Sequence, residues 1–380
     1  MLKNQDVCAL FNNLREKVEQ YSGLIDLENK YPEELLNTLK ENGVLSVTLP
    51  QDVGGKNWNI LETVLFLRLI GSISPALGLS LMVHCQVCGI LKSAMDRFKD
   101  LLGKISQEGV ICGLGITEIG GGSDISKIET VAKLEDDSLI INGEKSFVTN
   151  AVYADIFAIL TKLPKNDWGI IIVEKNDSVE VAPSLKLVGM RGSGISKVFF
   201  RNTKIPKENL VASGKDALKL LFTVINFGRI ATAAISIGVV DRLLNEALKW
   251  ITTRQVFQKY LSENEYVQQR IAELASRAET AWLATIRAAR EMDDGKDAKY
   301  LAAISKLEAS KVAMDTALYI MHLFASHAYV QGSIIERFYR DAKALEIMEG
   351  TSEVQRILIF KEILKRYEKN QSILSLTHYA

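Results

Sequence analysis

The densest set of reactive side chains lies in one short stretch, Gly115-Ile116-Thr117-Glu118-Ile119-Gly120-Gly121-Gly122-Ser123-Asp124. Consecutive glycines in structured backbone cost roughly 0.5–1 kcal/mol each relative to alanine. That cost is tolerated where the chain passes close to a ligand or needs positive φ, and Thr117 and Ser123 place hydroxyls on either side. A plain domain linker would need neither Thr-Glu nor Ser-Asp at fixed places. Other candidates are weaker. Gly113-Leu114-Gly115-Ile116-Thr117-Glu118 opens like a dinucleotide-binding glycine pattern, but Glu118 occupies its third glycine position and no βαβ unit surrounds it. Gly192-Ser193-Gly194 fits neither that pattern nor a phosphate-binding loop. His84-Cys85-Gln86-Val87-Cys88 has a zinc or redox spacing, yet it lacks a second ligand pair and sits in an apolar helical run, where cysteine packs as a small hydrophobe. His322 and His327 have no nearby carboxylate to complete a triad.

These residues must be held by several elements. The chain has 380 residues, long enough for two or three domains, with 46 basic and 46 acidic side chains, four Cys, four His and six Pro. A balanced charge removes the positive field expected of a nucleic-acid binder. The first residues, Met1-Leu2-Lys3-Asn4-Gln5-Asp6, contain no apolar signal region, and the apolar run from Leu77 to Leu91 is interrupted by Ser80, His84 and Gln86. No membrane span is expected, and with so few cysteines the expected compartment is a reducing cytoplasm.

No proline follows Pro206, and Ile271, Leu274, Ala275, Ala278, Ala281, Trp282 and Ile286 recur at helical spacing. Long helices are expected over 216–254, 297–326 and 352–369, and a shorter one over 32–42. Short runs rich in Ile, Val and Phe at 138–142, 155–162, 169–174 and 197–201 read as strands. Strands without long helices between them suggest an antiparallel sheet. The expected class is α+β: a helical domain over 1–112, a middle antiparallel β-domain over 113–212, and a helical bundle over 213–380.

Six motifs in order give these elements a family. Pro50-Gln51-Asp52-Val53-Gly54-Gly55 comes first, then Thr117-Glu118 through Ser123-Asp124, then Leu139-Ile140-Ile141-Asn142-Gly143-Glu144-Lys145-Ser146-Phe147-Val148-Thr149-Asn150. Gly189-Met190-Arg191 with Ile205-Pro206, Arg254-Gln255-Val256-Phe257, and Tyr339-Arg340-Asp341-Ala342-Lys343 followed by Glu349-Gly350-Thr351-Ser352-Glu353-Val354-Gln355-Arg356 complete the series. Over nearly its whole length the sequence resembles the acyl-CoA dehydrogenase family. The resemblance implies a helical domain, a β-domain and a C-terminal four-helix bundle, with FAD held without a Rossmann motif.

The resemblance also implies residue roles. Ile116, Thr117, Gly122 and Ser123 in the Gly-rich loop would contact the flavin, and Phe147 and Thr149 would lie against its ring. Arg254, Phe257, Thr351 and Glu353 would also hold the cofactor. Glu349 would be the catalytic base that removes the α-proton of an acyl thioester of CoA or an acyl carrier protein, while the β-hydride passes to the flavin. A base for a carbon acid needs a carboxyl whose pKa is raised by desolvation. The branch of the family that carries its base on an earlier helix has it just before an Arg; here that place is Gly228, before Arg229, leaving Glu349 as the candidate. Arg229 would orient the base or balance its charge, with a structural ion pair as the alternative. The electron acceptor would be an electron-transfer flavoprotein or oxygen, and the assembly a homodimer or homotetramer. A flavin-dependent monooxygenase and a non-catalytic protein on the same fold are the competing readings.

Four departures stand out. His322-Leu323-Phe324-Ala325-Ser326-His327-Ala328-Tyr329 occupies the place of a family Gln-x-x-Gly-Gly-x-Gly-Tyr, so Ala325 and Ser326 replace glycines that let backbone approach a cofactor pyrophosphate. Gln258 stands where Gly is common, Ile119 replaces a proline, and Lys127 replaces a small residue, to meet a carrier phosphate or only solvent.

Overall fold

The computed structural model describes residues 3–372. Five helices open the chain: α1 (Lys3–Glu28), α2 (Glu33–Glu41), α3 (Ile60–Gly71), α4 (Pro75–Lys92) and α5 (Met95–Glu108). Their starts follow from local chemistry. Asn59 and Glu62 form a reciprocal capping box at α3, while Ser74 caps α4 with Pro75 in its first turn. Helix α4 is apolar on almost every side and nearly all its residues are buried, so it is a core helix and not an amphipathic surface one.

The middle of the chain forms β1 (Cys112–Gly115), β2 (Val131–Glu135), β3 (Ser138–Val148), β4 (Ile156–Leu163), β5 (Asp167–Glu174), β6 (Val179–Val181), β7 (Ser196–Pro206) and β8 (Leu210–Ser213). The strand order is β6-β7-β3-β2-β4-β5-β8, with β1 added on β4. Most pairings are antiparallel as expected, but β1 and β2 each run parallel to β4. Strand β3 runs well past residue 142. The register shift between Ile141 and Gly143 shows why: the Asn-Gly pair marks a bulge that the strand passes through, not a turn that ends it.

The remainder is helical: α6 (Gly214–Thr253), a small hairpin of β9 (Gln255–Val256) and β10 (Lys259–Tyr260), then α7 (Glu265–Asp293), α8 (Lys299–Phe324), α9 (Ile334–Ile347) and α10 (Ser352–Glu368). The main apolar core joins the N-terminal helices to α6–α9, a second lies between α4, α5, α6 and the sheet, and a third lies within the β-domain. Two helices, Pro75–Lys92 and Gly214–Thr253, are long and apolar enough to cross a membrane, and both are mostly buried inside the protein.

Several sequence landmarks turn out to be ties between these layers. The Met190 amide donates to Asp341 Oδ1 at 2.5 Å, and burial pushes the Asp341 carboxyl up to about 6. Arg340 binds Asp26 of α1 through both carboxylate oxygens at 2.9 and 2.7 Å. The CxxC segment is likewise packed. His84 reaches Leu45 O at 2.7 Å through Nε2 and accepts the Cys112 amide at Nδ1, while Cys85, Cys88 and Cys112 are buried free thiols.

Candidate active site

Strand β1 ends at Gly115 and delivers Ile116 and Thr117 beside the end of β3. The Ser146 amide donates to Thr117 O at 2.8 Å, and Leu114 forms a bridge with Thr149. Ile116, Thr117, Gly122, Ser123, Phe147 and Thr149 therefore fall into one neighbourhood. Beneath them, Lys145 is fully buried and pairs with Glu118 at 2.6 Å. The Glu118 carboxylate also accepts the amides of Glu129 and Thr130, at 2.5 and 3.1 Å. The acid of the Thr-Glu pair is thus a strut that closes the Gly-rich loop. Burial pulls the Lys145 ammonium down to about 8, against the pull of Glu118.

Above the strut the surface is open and unpaired. The hydroxyls of Thr117, Ser123 and Thr149 make no hydrogen bond among the described residues. Phe147 holds φ at +54° and is 60% exposed, an odd use of an aromatic residue in a structured strand. A side chain at Gly120 would meet only Lys127 O at 3.7 Å among the described residues, whereas one at Gly121 would collide with Asp124 O at 2.7 Å.

The second half of the site is the turn between α9 and α10. Glu349 is a non-glycine residue with φ at +56°, followed by Gly350 at +92°. Buried side chains from three helices hold this turn by its carbonyls. Lys306 of α8 donates to Glu346 O and Gly350 O, each at 2.9 Å; Gln355 of α10 donates to Glu349 O and Gly350 O at 3.1 and 2.8 Å; Arg229 Nε of α6 donates to Glu349 O at 3.3 Å. Arg229 also binds Asn226 Oδ1 at 2.8 Å. It therefore holds the main chain of Glu349 and does not grip its carboxylate, although its charge still favours the anion.

The Glu349 carboxyl lies inward. Desolvation pushes its pKa up to about 7, opposed by the Gln86 amide and by the charges of Arg229 and Lys306. Gln86 Nε2 approaches Glu349 Oε1 at 3.2 Å. A Cβ at Gly228 would sit 2.4 Å from Gln86 Nε2 and 2.4 Å from Glu349 Oε2. Only glycine leaves room for the two side chains to meet.

Helix α4 joins the halves. Asn150, next to Thr149, donates to Ser80 O at 2.9 Å, and Gln86 reaches Glu349. Those two α4 positions are separated by about 9 Å of helical rise. Thr351 caps α10 by accepting the Val354 amide at 3.5 Å, and Glu353 is exposed in that helix's first turn. Arg254 and Phe257 lie apart from both halves, on the β9–β10 hairpin and the turn before it. Arg254 sits over the Trp250 ring and Phe257 is 96% exposed.

Sequence patterns gave no role to Gln86 or Lys306, and Gln355 appeared only as one residue of the last motif. Gln86 carried a usable signal, as an amide inside an otherwise apolar helix.

Comparison with known proteins converges on one family. Residues 11–102, 113–203 and 218–364 match, respectively, the N-terminal, middle and C-terminal domains of acyl-CoA dehydrogenase. The chain belongs to the acyl-CoA dehydrogenase family. An acyl-CoA dehydrogenase of Bacillus subtilis (strain 168) is 28% identical over 358 residues, covering 92% of this chain and 94% of the relative. A short-chain-specific acyl-CoA dehydrogenase of Clostridium acetobutylicum is also 28% identical, over 357 residues, with 92% and 94% covered. The butyryl-CoA dehydrogenase structure from Megasphaera elsdenii superposes with a TM-score of 0.91 at 24% identity, covering 96% of this chain and 98% of that one. The helix–sheet–helix plan is therefore the acyl-CoA dehydrogenase fold, and the chain is a member of an oxidoreductase family.

Proposed function

We propose that this protein is an FAD-dependent α,β-dehydrogenase of an acyl thioester, with Glu349 as the base that removes the α-proton. The observation that carries this reading is the Glu349 carboxyl, sunk among α4, α6 and α8 with its pKa pushed up to about 7. An ordinary surface carboxylate is too weak a base for a carbon acid, and desolvation raises its proton affinity toward the working pH. Arg229 and Lys306 keep positive charge near the carboxylate, and with Gln355 they fix the turn that aims it.

FAD fits the residues present. Unpaired hydroxyls at Thr117, Ser123 and Thr149, the exposed Phe147, Ile116 and the exposed glycines Gly120 and Gly122 suit a flat, polar-edged ring system. When bound, FAD supplies the hydride acceptor for the β-carbon. Thr351 and Glu353 stand at the start of α10 to support it. The exposed Arg254 and Phe257 suit contact with the cofactor of a neighbouring copy, in a homodimer or homotetramer. The substrate is a thioester of CoA or of an acyl carrier protein, and the electron acceptor an electron-transfer flavoprotein or oxygen.

Anaerobic titration of the flavin-loaded protein with a panel of acyl-CoA and acyl-carrier thioesters tests this reading at the flavin absorption band. Bleaching by one class of thioester is expected, and the class identifies the carrier. Glu349→Gln should keep the bound flavin and lose the bleaching. Undiminished reduction in that variant overturns the assignment of the base.

A further inference from the structure

We infer that Gln86 is a positioning residue for Glu349, fixing the direction of its carboxyl from helix α4 and favouring its anionic form; the inference rests on reading Glu349 as the base. Gln86 is 1% exposed, within a helix whose neighbouring residues are almost all apolar and buried. Its Nε2 donates to two acceptors, Val224 O and Glu349 Oε1, each at 3.2 Å.

Val224 settles which way the amide points. A main-chain carbonyl is only an acceptor, so the nitrogen must face it, and the swapped orientation would set Oε1 against that oxygen. The group presented to Glu349 is therefore always an N–H donor. A carboxylate accepts that bond with full charge assistance, whereas a protonated acid gains much less from it. Among the described residues, Gln86 is the side chain that hydrogen-bonds the carboxylate itself. The charged groups facing the turn from the other elements act differently. Arg229 and Lys306 bind main-chain carbonyls, and the charges of Glu346 and Glu353 act on Lys306.

Two further features separate this role from packing. Gln86 Oε1 is buried without a partner, a cost that a methionine of similar size would avoid. In addition, the pair meets in the gap left by Gly228, where a Cβ would collide with both side chains at 2.4 Å.

The test is direct titration of the Glu349 carboxyl in the flavin-loaded protein without substrate. Carboxyl-labelled glutamate is followed by carbon NMR, and the Glu349 signal is assigned by its loss in Glu349→Gln. In Gln86→Met the midpoint should rise by about one to two pH units, the effect of losing one hydrogen bond to a charged group. An unchanged midpoint overturns the proposal. A second measurement uses the unaltered residue 86: the Gln86 side-chain amide resonance should shift with the same midpoint as Glu349 and become pH-independent in Glu349→Gln. An amide indifferent to pH in the wild-type protein also overturns it, whether or not Gln86→Met folds. Flavin reduction that persists in Glu349→Gln would instead overturn the base, while leaving the Gln86 titration intact.

Discussion

The raised pKa of Glu349 makes a prediction about stability that needs no substrate. The carboxyl titrates near 4.5 when the chain is unfolded and at about 7 when folded. Between those values the folded state holds a proton that the unfolded state has lost, so stability falls as pH rises through the window. The penalty is absent below the unfolded pKa and complete above the folded one. A displacement from 4.5 to about 7 corresponds to about 3 kcal/mol. Glu349→Gln removes the titration while keeping an oxygen to accept from Gln86. The difference in unfolding free energy between variant and wild type should therefore move by about 3 kcal/mol in favour of the variant between pH 4.5 and 8. For a chain of 380 residues this is a melting-temperature change of roughly 4 °C. Paired thermal and urea unfolding across that range measures it. The pH dependence of the difference up to about pH 7 is decisive, because titrations of groups not coupled to Glu349, such as Asp341, cancel between the two proteins, whereas Lys306, which feels the Glu349 charge, contributes only nearer its own value of about 8. A difference that stays flat with pH, or one that favours wild type more as pH rises, refutes a buried, desolvated Glu349.

Two further substitutions probe the backbone around the site. Gly228→Ala places a methyl 2.4 Å from both Gln86 Nε2 and Glu349 Oε2 and should cost about 1–3 kcal/mol in unfolding free energy by overpacking. The same variant should slow flavin reduction by thioester at least tenfold; wild-type rates would show that the Gln86–Glu349 contact does not matter for turnover. Ala325→Gly acts in the other direction. Ala325 holds φ at +48° with ψ at −130°, backbone suited to glycine, so the substitution should stabilise the protein by about 1 kcal/mol in urea unfolding. A destabilised variant would show that the alanine methyl contributes more by packing than it costs in strain.

Some helices carry their own start signals. Ser74-Pro75 and Asn59-Ile60-Leu61-Glu62 announce their starts, and the absence of proline after Pro206 leaves the last part of the chain free for long helices. Strand ends were less legible. Asn142-Gly143 has the composition of a turn, and only its partner strand β7 shows that it is a bulge. The Gly-rich loop declared itself through the cost of its glycines, but the sequence could not show that Glu118 is a strut, since its partner Lys145 lies 27 residues on, in β3. Ala325 was expected to restrict the backbone. The chain instead keeps a glycine-like conformation there and accepts the strain. Gln86 was legible only as an interruption of an apolar run, because the carboxylate that it serves is 263 residues away.

The buried polar groups of this protein divide by how completely they are satisfied. Lys145 and Glu118 bind each other, and the carboxylate also takes two main-chain amides, so the pair holds a loop closed. Asp341 likewise takes the Met190 amide and joins two domains. Gln86 and Gln355 differ: each keeps one buried oxygen without a partner, and both touch Glu349, one at its carboxylate and the other at its carbonyl. A half-satisfied amide in low-dielectric surroundings is less stable than hydrocarbon of the same shape, so selection for stability alone would tend to remove it. Their placement around a left-handed, non-glycine carboxylate residue gives each the same explanation, because a base in a desolvated site needs donors that cannot turn away. Thr48, Trp250 and Tyr319 also keep unpartnered buried atoms elsewhere. Among the described residues, only at Glu349 do two such side chains meet a left-handed, non-glycine residue, the kind of local violation that function explains.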